Sequence, residues 1–143
     1  MSDILMKKVY PVAARDFATA GEASGRIKNT LKQLGVDMGV VRRVAIASYE
    51  AELNLVIHSD GGEMELCVTP STVTITTRDK GPGIPDLALA MQEGYSTASE
   101  QARNLGFGAG MGLPNMKRNA DEFDIQSTVG VGTQILMKFH LKK

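Results

Sequence analysis

Ser48-Tyr49-Glu50-Ala51-Glu52-Leu53-Asn54-Leu55-Val56-Ile57-His58-Ser59-Asp60 is the stretch on which the fold depends. Its apolar residues continue Val40, Val41, Val44, Ala45 and Ala47 at helical spacing. One long helix is therefore predicted, from a cap at Asp37 through His58, ended by Asp60-Gly61-Gly62. Glu50, Asn54 and His58 recur every four residues, so they stack one turn apart on a single stripe. Glu50 has Ala45, Ile46, Ala47, Ala51 and Leu53 around it, unusual company for a solvated carboxylate. An Asn carbonyl is a hard oxygen suited to Mg2+. A carboxylate one turn away can take a proton from an attacking hydroxyl. The same stripe also reads as a polar face turned to water.

Working outward, residues 4–12 alternate loosely and stop at Pro11, which suits an edge strand. Asp16 is expected to cap a helix running to Leu34, with Phe17, Ala20, Ile27, Leu31 and Leu34 on one stripe and Gly35 as its stop. Gly21 and Gly25 weaken that helix by up to about 1 kcal/mol each relative to Ala. Close packing on another element, or on a partner, accounts for them equally. Beyond the long helix, residues 63–69 and 72–78 form a hairpin across Pro70-Ser71. Pro85 and Asp86 open a short helix carrying Leu87, Leu89 and Met91. Residues 93–110 lack a hydrophobic period and read as a mobile, functional loop. A helix at 112–120 and two strands, 122–128 and 133–141, complete the chain around Val129-Gly130-Val131-Gly132. The order β-α-α-β-β-α-loop-α-β-β predicts an α+β fold, a two-layer sandwich with helices on one face of a mixed, mostly antiparallel sheet.

The 143 residues are 43% hydrophobic, too apolar for a disordered chain, and the 15 glycines have no three-residue period, which excludes collagen. Lys plus Arg and Asp plus Glu are 16 each, so the basic excess of a non-specific nucleic-acid binder is missing. A few oriented backbone amides can still bind polyphosphate without such an excess. With Cys67 as the one cysteine, a disulfide framework and a cysteine zinc site within one chain are excluded. The first residues do not pattern as a signal peptide, and no apolar run approaches the roughly 20 residues that cross a bilayer. A soluble cytoplasmic protein, without nucleic-acid or membrane partners, is expected.

Two glycine-bearing stretches carry further chemistry. Asp79-Lys80-Gly81-Pro82-Gly83-Ile84 follows a strand, and Gly81 and Gly83 let backbone approach a flat ligand. Asp79 can accept a hydrogen bond from the exocyclic amine of adenine, while guanine would oppose its carboxylate with a carbonyl oxygen. A plain turn is the alternative reading. Gly106-Phe107-Gly108-Ala109-Gly110-Met111-Gly112-Leu113 leads into a helix, and its amides with the helix N-terminus form an anion cradle. It is neither a Walker loop nor a dinucleotide fingerprint, and it reads alternatively as a flexible connector. The Thr133 hydroxyl, after Gly130-Val131-Gly132, either touches a ligand or belongs to a hairpin turn.

Taken in order, these marks resemble the ATPase superfamily that joins gyrase, the heat-shock chaperone, histidine kinases and the mismatch-repair ATPase. Its Bergerat-type nucleotide fold has a helix with E-x-x-x-N-x-x-x-H, then D-x-G-x-G, then G-x-G-x-G, then a late G-T. Here these stand at Glu50/Asn54/His58, Asp79/Gly81/Gly83, Gly108/Gly110/Gly112 and Gly132-Thr133. The resemblance spans nearly the whole chain and implies one domain, residues 1–143. Glu50, the run Asp79 to Pro85, Glu93-Gly94-Tyr95-Ser96-Thr97 and Asp121-Glu122-Phe123 look like the anti-sigma-factor serine kinases and related switch kinases. Gly112-Leu113-Pro114 with Lys117-Arg118 leans toward the switch-kinase members.

That likeness implies binding of Mg2+ and ATP, with phosphoryl transfer to a serine or threonine of a small antagonist protein of the anti-anti-sigma type. A sigma factor or signalling protein would be the exchanged target. By resemblance, Asn54 would hold Mg2+ and Glu50 would act as catalytic base. Asp79 would read adenine in a pocket shaped by Gly81, Gly83, Ile84 and Thr133. Thr97 and the lid residues Gly106, Gly108, Ala109, Gly110, Met111, Gly112 and Leu113 would close on the phosphates. His58 is assigned to the same face, with a packed structural role as the preferred reading of the residue itself. Residues 98–105 make the lid longer than in the switch-kinase type, leaving Lys80, Arg103 and Lys117 as auxiliary phosphate contacts or as solvated charges. A homodimer, through residues 9–34, also fits the resemblance. Two other functions compete: a nucleotide-gated binding module without kinase activity, and an orphan histidine-kinase catalytic domain, disfavoured because no phosphoacceptor-helix domain is present.

Overall fold

Alternation along the strands decides which way the sheet faces. The computed structural model describes residues 4–81, Met91 and 112–141, with the His58 side chain excepted. Its elements are β1 (Met6–Val12), α1 (Glu22–Gln33), α2 (Met38–His58), β2 (Gly62–Val68), β3 (Thr72–Asp79), α3 (Gly112–Asn119), β4 (Glu122–Thr128) and β5 (Gly132–His140). The strands form one sheet in the order β1-β2-β3-β5-β4, and all four pairings are antiparallel. Tyr10 lies opposite Met64, Leu66 opposite Ile75, Ile75 opposite Met137, and Ile125 opposite Ile135. Period-two alternation thus collects most of the apolar strand residues on one face, with Val9, Pro11 and Leu136 left on the other. The other face carries the ion pairs Lys7–Glu65 at 3.9 Å, Arg78–Glu63 at 3.3 Å and Arg78–Glu65 at 3.3 Å. The helices among the described residues therefore cover the apolar face, as the expected two-layer α+β sandwich requires. β1 lies at an edge, as Pro11 predicts.

α2 is the middle of the helix layer. Val41, Val44, Ala47, Leu55 and Val56 are essentially inaccessible, because the helix touches the sheet below and α1 and α3 on its sides. Asp37 caps it, accepting Gly39 N at 3.0 Å and Val40 N at 3.3 Å, which matches the sequence reading. α3 adds Leu113 and Met116 to the core. α1 contributes Ile27 and Leu31, both fully buried. Truncating a buried leucine of this kind to alanine costs about 2–5 kcal/mol. No helix among the described residues is long and apolar enough to cross a membrane.

The start of α1 departs from expectation. Asp16 does not cap it; its carboxylate folds onto Thr19 instead, accepting the hydroxyl at 2.5 Å and the amide at 3.3 Å. The helix begins six residues later, after Gly21 at φ 101°. Its free amides are taken by Glu52 of α2, which accepts Gly21 N at 2.9 Å, Ala23 N at 3.3 Å and Ser24 N at 2.9 Å. Those amides are orphan donors of a helix N-terminus, and a buried carboxylate satisfies them from across the layer. Gly35, at φ 76°, ends α1 as expected: its amide returns to Lys32 O and that of Val36 to Leu31 O. The two α1 glycines also separate. Gly21 is required by its backbone angle, while an added Cβ would only touch the Tyr49 ring at 3.4 Å. Around Gly25 an added Cβ meets nothing within 4 Å.

Candidate functional site

With three sides of α2 committed to packing, the stripe through Glu50 and Asn54 is left half-buried. Glu50 lies against the first residue of α3, and a Cβ on Gly112 would stand 3.3 Å from Glu50 Oε2. A glycine there lets the helix start approach the carboxylate. Burial pushes the Glu50 carboxyl above its ordinary value, since desolvation disfavours the charged form. Asn54, one turn further, makes no side-chain hydrogen bond among the described residues. Its amide oxygen is thus available to a cation or a polar ligand.

The second half of the site is the end of β3. Asp79 Oδ1 accepts the Thr133 amide at 3.0 Å, and the Thr133 hydroxyl pairs with Ser127 Oγ at 2.8 Å. A Cβ on Gly132, which sits at φ 151°, would overlap the Asp79 carbonyl oxygen, so only glycine allows this approach. Beyond Asp79 the chain is clamped from two sides. Asp60 N donates to Lys80 O at 2.7 Å, Lys80 N to Gly61 O at 3.1 Å, and Gly81 N to Val131 O at 3.3 Å. A Cβ on Gly81 would come within 3.2 Å of Ser59 Cα. Burial raises the Asp79 carboxyl above its ordinary value, the Thr133 amide opposes that, and nearby Asp60 adds to it. Asp79 Oδ2 has no partner among the described residues. One oxygen is anchored and the other remains free to accept a hydrogen bond from an N–H donor.

α2 joins the two halves. From Glu50 to Ser59 it rises about 13 Å at 1.5 Å per residue, ending on the turn that supports Lys80 and Gly81. Of the candidate residues, Glu50, Asn54 and Gly112 thus lie together at the middle of α2, and Asp79, Gly81 and Thr133 beyond its C-terminal end. Leu113 is buried in the core beneath α3. Lys80 and Lys117 are exposed. Gly83, Ile84, Thr97, Arg103, Gly106, Gly108, Ala109, Gly110 and Met111 lie outside the described residues, as does the His58 side chain. So do the short helix after Pro85 and the loop at 93–110, apart from Met91.

Several contributors carried no role in the sequence reading. Ser127 supports Thr133, Ser59 and Asp60 lie against Gly81, Gly61 accepts the Lys80 amide, and Glu52 docks α1. Glu52 had a visible signal. Val41, Val44, Ser48, Glu52 and Leu55 follow helical spacing, which places a carboxylate on a buried stripe.

Residues 13–139 match the model of the histidine kinase-like ATPase domain family. The serine/threonine-protein kinase RsbT of Bacillus subtilis is 32% identical over 112 residues, covering 76% of this chain and 78% of RsbT. The anti-sigma F factor of Geobacillus kaustophilus is 30% identical over 117 residues, covering 78% of this chain and 77% of that protein. Its counterpart from Bacillus licheniformis is 34% identical over 119 residues, with 79% and 78% covered. Among solved structures, the RsbU and RsbW domains of a Mycobacterium tuberculosis protein superpose with a TM-score of 0.66 at 15% identity, covering 96% of this chain and 33% of that one. The SiaB-SiaC complex from Pseudomonas aeruginosa gives 0.60 at 13% identity, covering 96% and 90%. At such identities the two structures support the fold.

Proposed function

The chain belongs to the histidine kinase-like ATPase domain family, on its anti-sigma and serine/threonine kinase branch, and from that membership we propose a partner-switching protein kinase with the following site. It binds ATP and transfers the γ-phosphoryl group to a serine or threonine hydroxyl on a small antagonist protein of the anti-anti-sigma type. Asp79 accepts the adenine amine on its free oxygen, with Gly81, Gly83, Ile84 and Thr133 shaping the pocket. Asn54 holds Mg2+, which when bound neutralises phosphate charge. Among the described residues no three His, Cys, Asp or Glu gather around a metal site, so a cation here would rely on Asn54, phosphates and water, the usual company of Mg2+. Thr97 and the segment from Gly106 to Gly112 close over the phosphates.

One observation carries the kinase assignment of the site: a half-buried Glu50 carboxylate, one turn before Asn54, against the N-terminus of α3. A desolvated carboxylate is a stronger base than a solvated one. It takes the hydroxyl proton as that oxygen bonds to the γ-phosphorus and the bridging bond breaks, leaving ADP. Alignment and charge neutralisation do the rest. The test is radiolabel transfer from Mg2+–ATP to a purified antagonist, with Glu50→Ala beside the parent. Lost transfer with near-parental ATP affinity supports the assignment. Equal regulation of the partner by both proteins makes the chain a nucleotide-gated binding module instead. A sigma factor as the exchanged target, and a homodimer through residues 9–34, extend the same proposal.

A further inference from the structure

Arg15, in the connection between β1 and α1, holds φ at 62°, the one non-glycine residue with positive φ among the described residues. A residue with a Cβ adopts this conformation at an energetic cost, so something must hold it there. Locally, Phe17 N donates to Arg15 O at 3.0 Å; the long-range holding contacts go to the end of α2. Arg15 N donates to Val56 O at 2.8 Å, and its guanidinium donates to Ser59 O at 2.6 Å and to Val56 O at 3.4 Å. These are carbonyls that a helix C-terminus leaves unpaired, and a cation is favoured beside them. The turn they fix is the bed of the β3 end. Asp60 N meets Lys80 O, Gly61 O meets Lys80 N, and a Cβ on Gly81 would crowd Ser59 Cα at 3.2 Å.

We propose that Arg15 is a positioning residue for nucleotide binding: it fixes the last turn of α2 at the height where the Asp79–Gly81 segment closes on the purine. It does not touch the nucleotide. The inference rests on the ATP site assigned above, and binding separates the two.

Calorimetric titration with Mg2+–ATP is run on the parent, Arg15→Gly, Arg15→Ala and Arg15→Lys, with thermal melts of each in the absence of nucleotide. Arg15→Gly removes the guanidinium and the strained φ together, so its melting temperature stays near the parent's while its ATP affinity falls about tenfold. Arg15→Lys, which keeps a cationic donor, recovers part of that affinity. In transfer assays KM for ATP rises and kcat at saturation is retained. Parental affinity in Arg15→Gly would overturn the proposal, as would affinity losses that merely follow melting temperature across the three variants. A parent that takes up no Mg2+–ATP overturns the nucleotide site itself.

Discussion

The backbone N–H of Thr133 reaches Asp79 Oδ1 at 3.0 Å, joining the ends of two neighbouring strands that are 54 residues apart in sequence. Anchoring one carboxylate oxygen orients the other. Asp79→Asn retains an oxygen for the Thr133 amide but places an NH2 group where the adenine amine must donate. ATP affinity should fall by at least about tenfold, and the preference over GTP should narrow, because the new donor matches the guanine carbonyl. Parallel titrations with both nucleotides decide it, and undiminished ATP uptake would remove Asp79 from the purine pocket.

Glu50 has a pH signature of definite sign. Its carboxyl lies above the ordinary value in the folded protein, so the folded state keeps a proton that the unfolded chain has already released. The associated stability is complete below the unfolded value and is lost as pH rises through the folded one. Glu50→Gln should thus raise the denaturation midpoint near neutral pH and give no such gain in acid. Transfer by the parent should climb as pH rises through the raised value and level off above it, while Glu50→Gln binds ATP and transfers nothing. A variant that still phosphorylates its substrate would rule out Glu50 as the base.

Two glycines should respond oppositely to the same substitution. Gly132→Ala forces a methyl into the Asp79 carbonyl oxygen and strains φ, costing about 3 kcal/mol or more together with ATP binding. Gly25→Ala adds a methyl to open space within a helix and should stabilise by up to about 1 kcal/mol. Urea unfolding of both variants checks the contrast.

Removing the Glu52 side chain leaves three amides at the N-terminus of α1, those of Gly21, Ala23 and Ser24, without their acceptor. Glu52→Ala should lose about 3 kcal/mol of stability, and Glu52→Gln, which keeps an acceptor, about 1 kcal/mol. A loss below about 0.5 kcal/mol in Glu52→Ala would show that α1 docks without it.

The elements visible in the sequence are those whose cause is local. Asp37 caps the helix it precedes, Gly35 ends the one it follows, and the strands from Gly62 to Asp79 alternate plainly. The start of α1 is not legible locally because its capping carboxylate belongs to another helix, about thirty residues downstream. Asp16 looked like a cap because its own local turn uses the same chemistry. In the site, Asp79 and Thr133 could be named singly, but their bond depends on β5 lying beside β3, a pairing made across the whole connection that contains α3. Arg15 had no pattern at all, since a helix end can recruit a cation from any loop that passes it.

Arg15 and Glu52 fasten the segment 15–24 to α2 at both ends, the first by reaching to the helix and the second by reaching from it. A surface connection held this way cannot open alone. Its amides at Gly21, Ala23 and Ser24 should exchange with solvent deuterium at the rate of the central helix, as part of one cooperative unit, rather than at the fast rate of an ordinary linker.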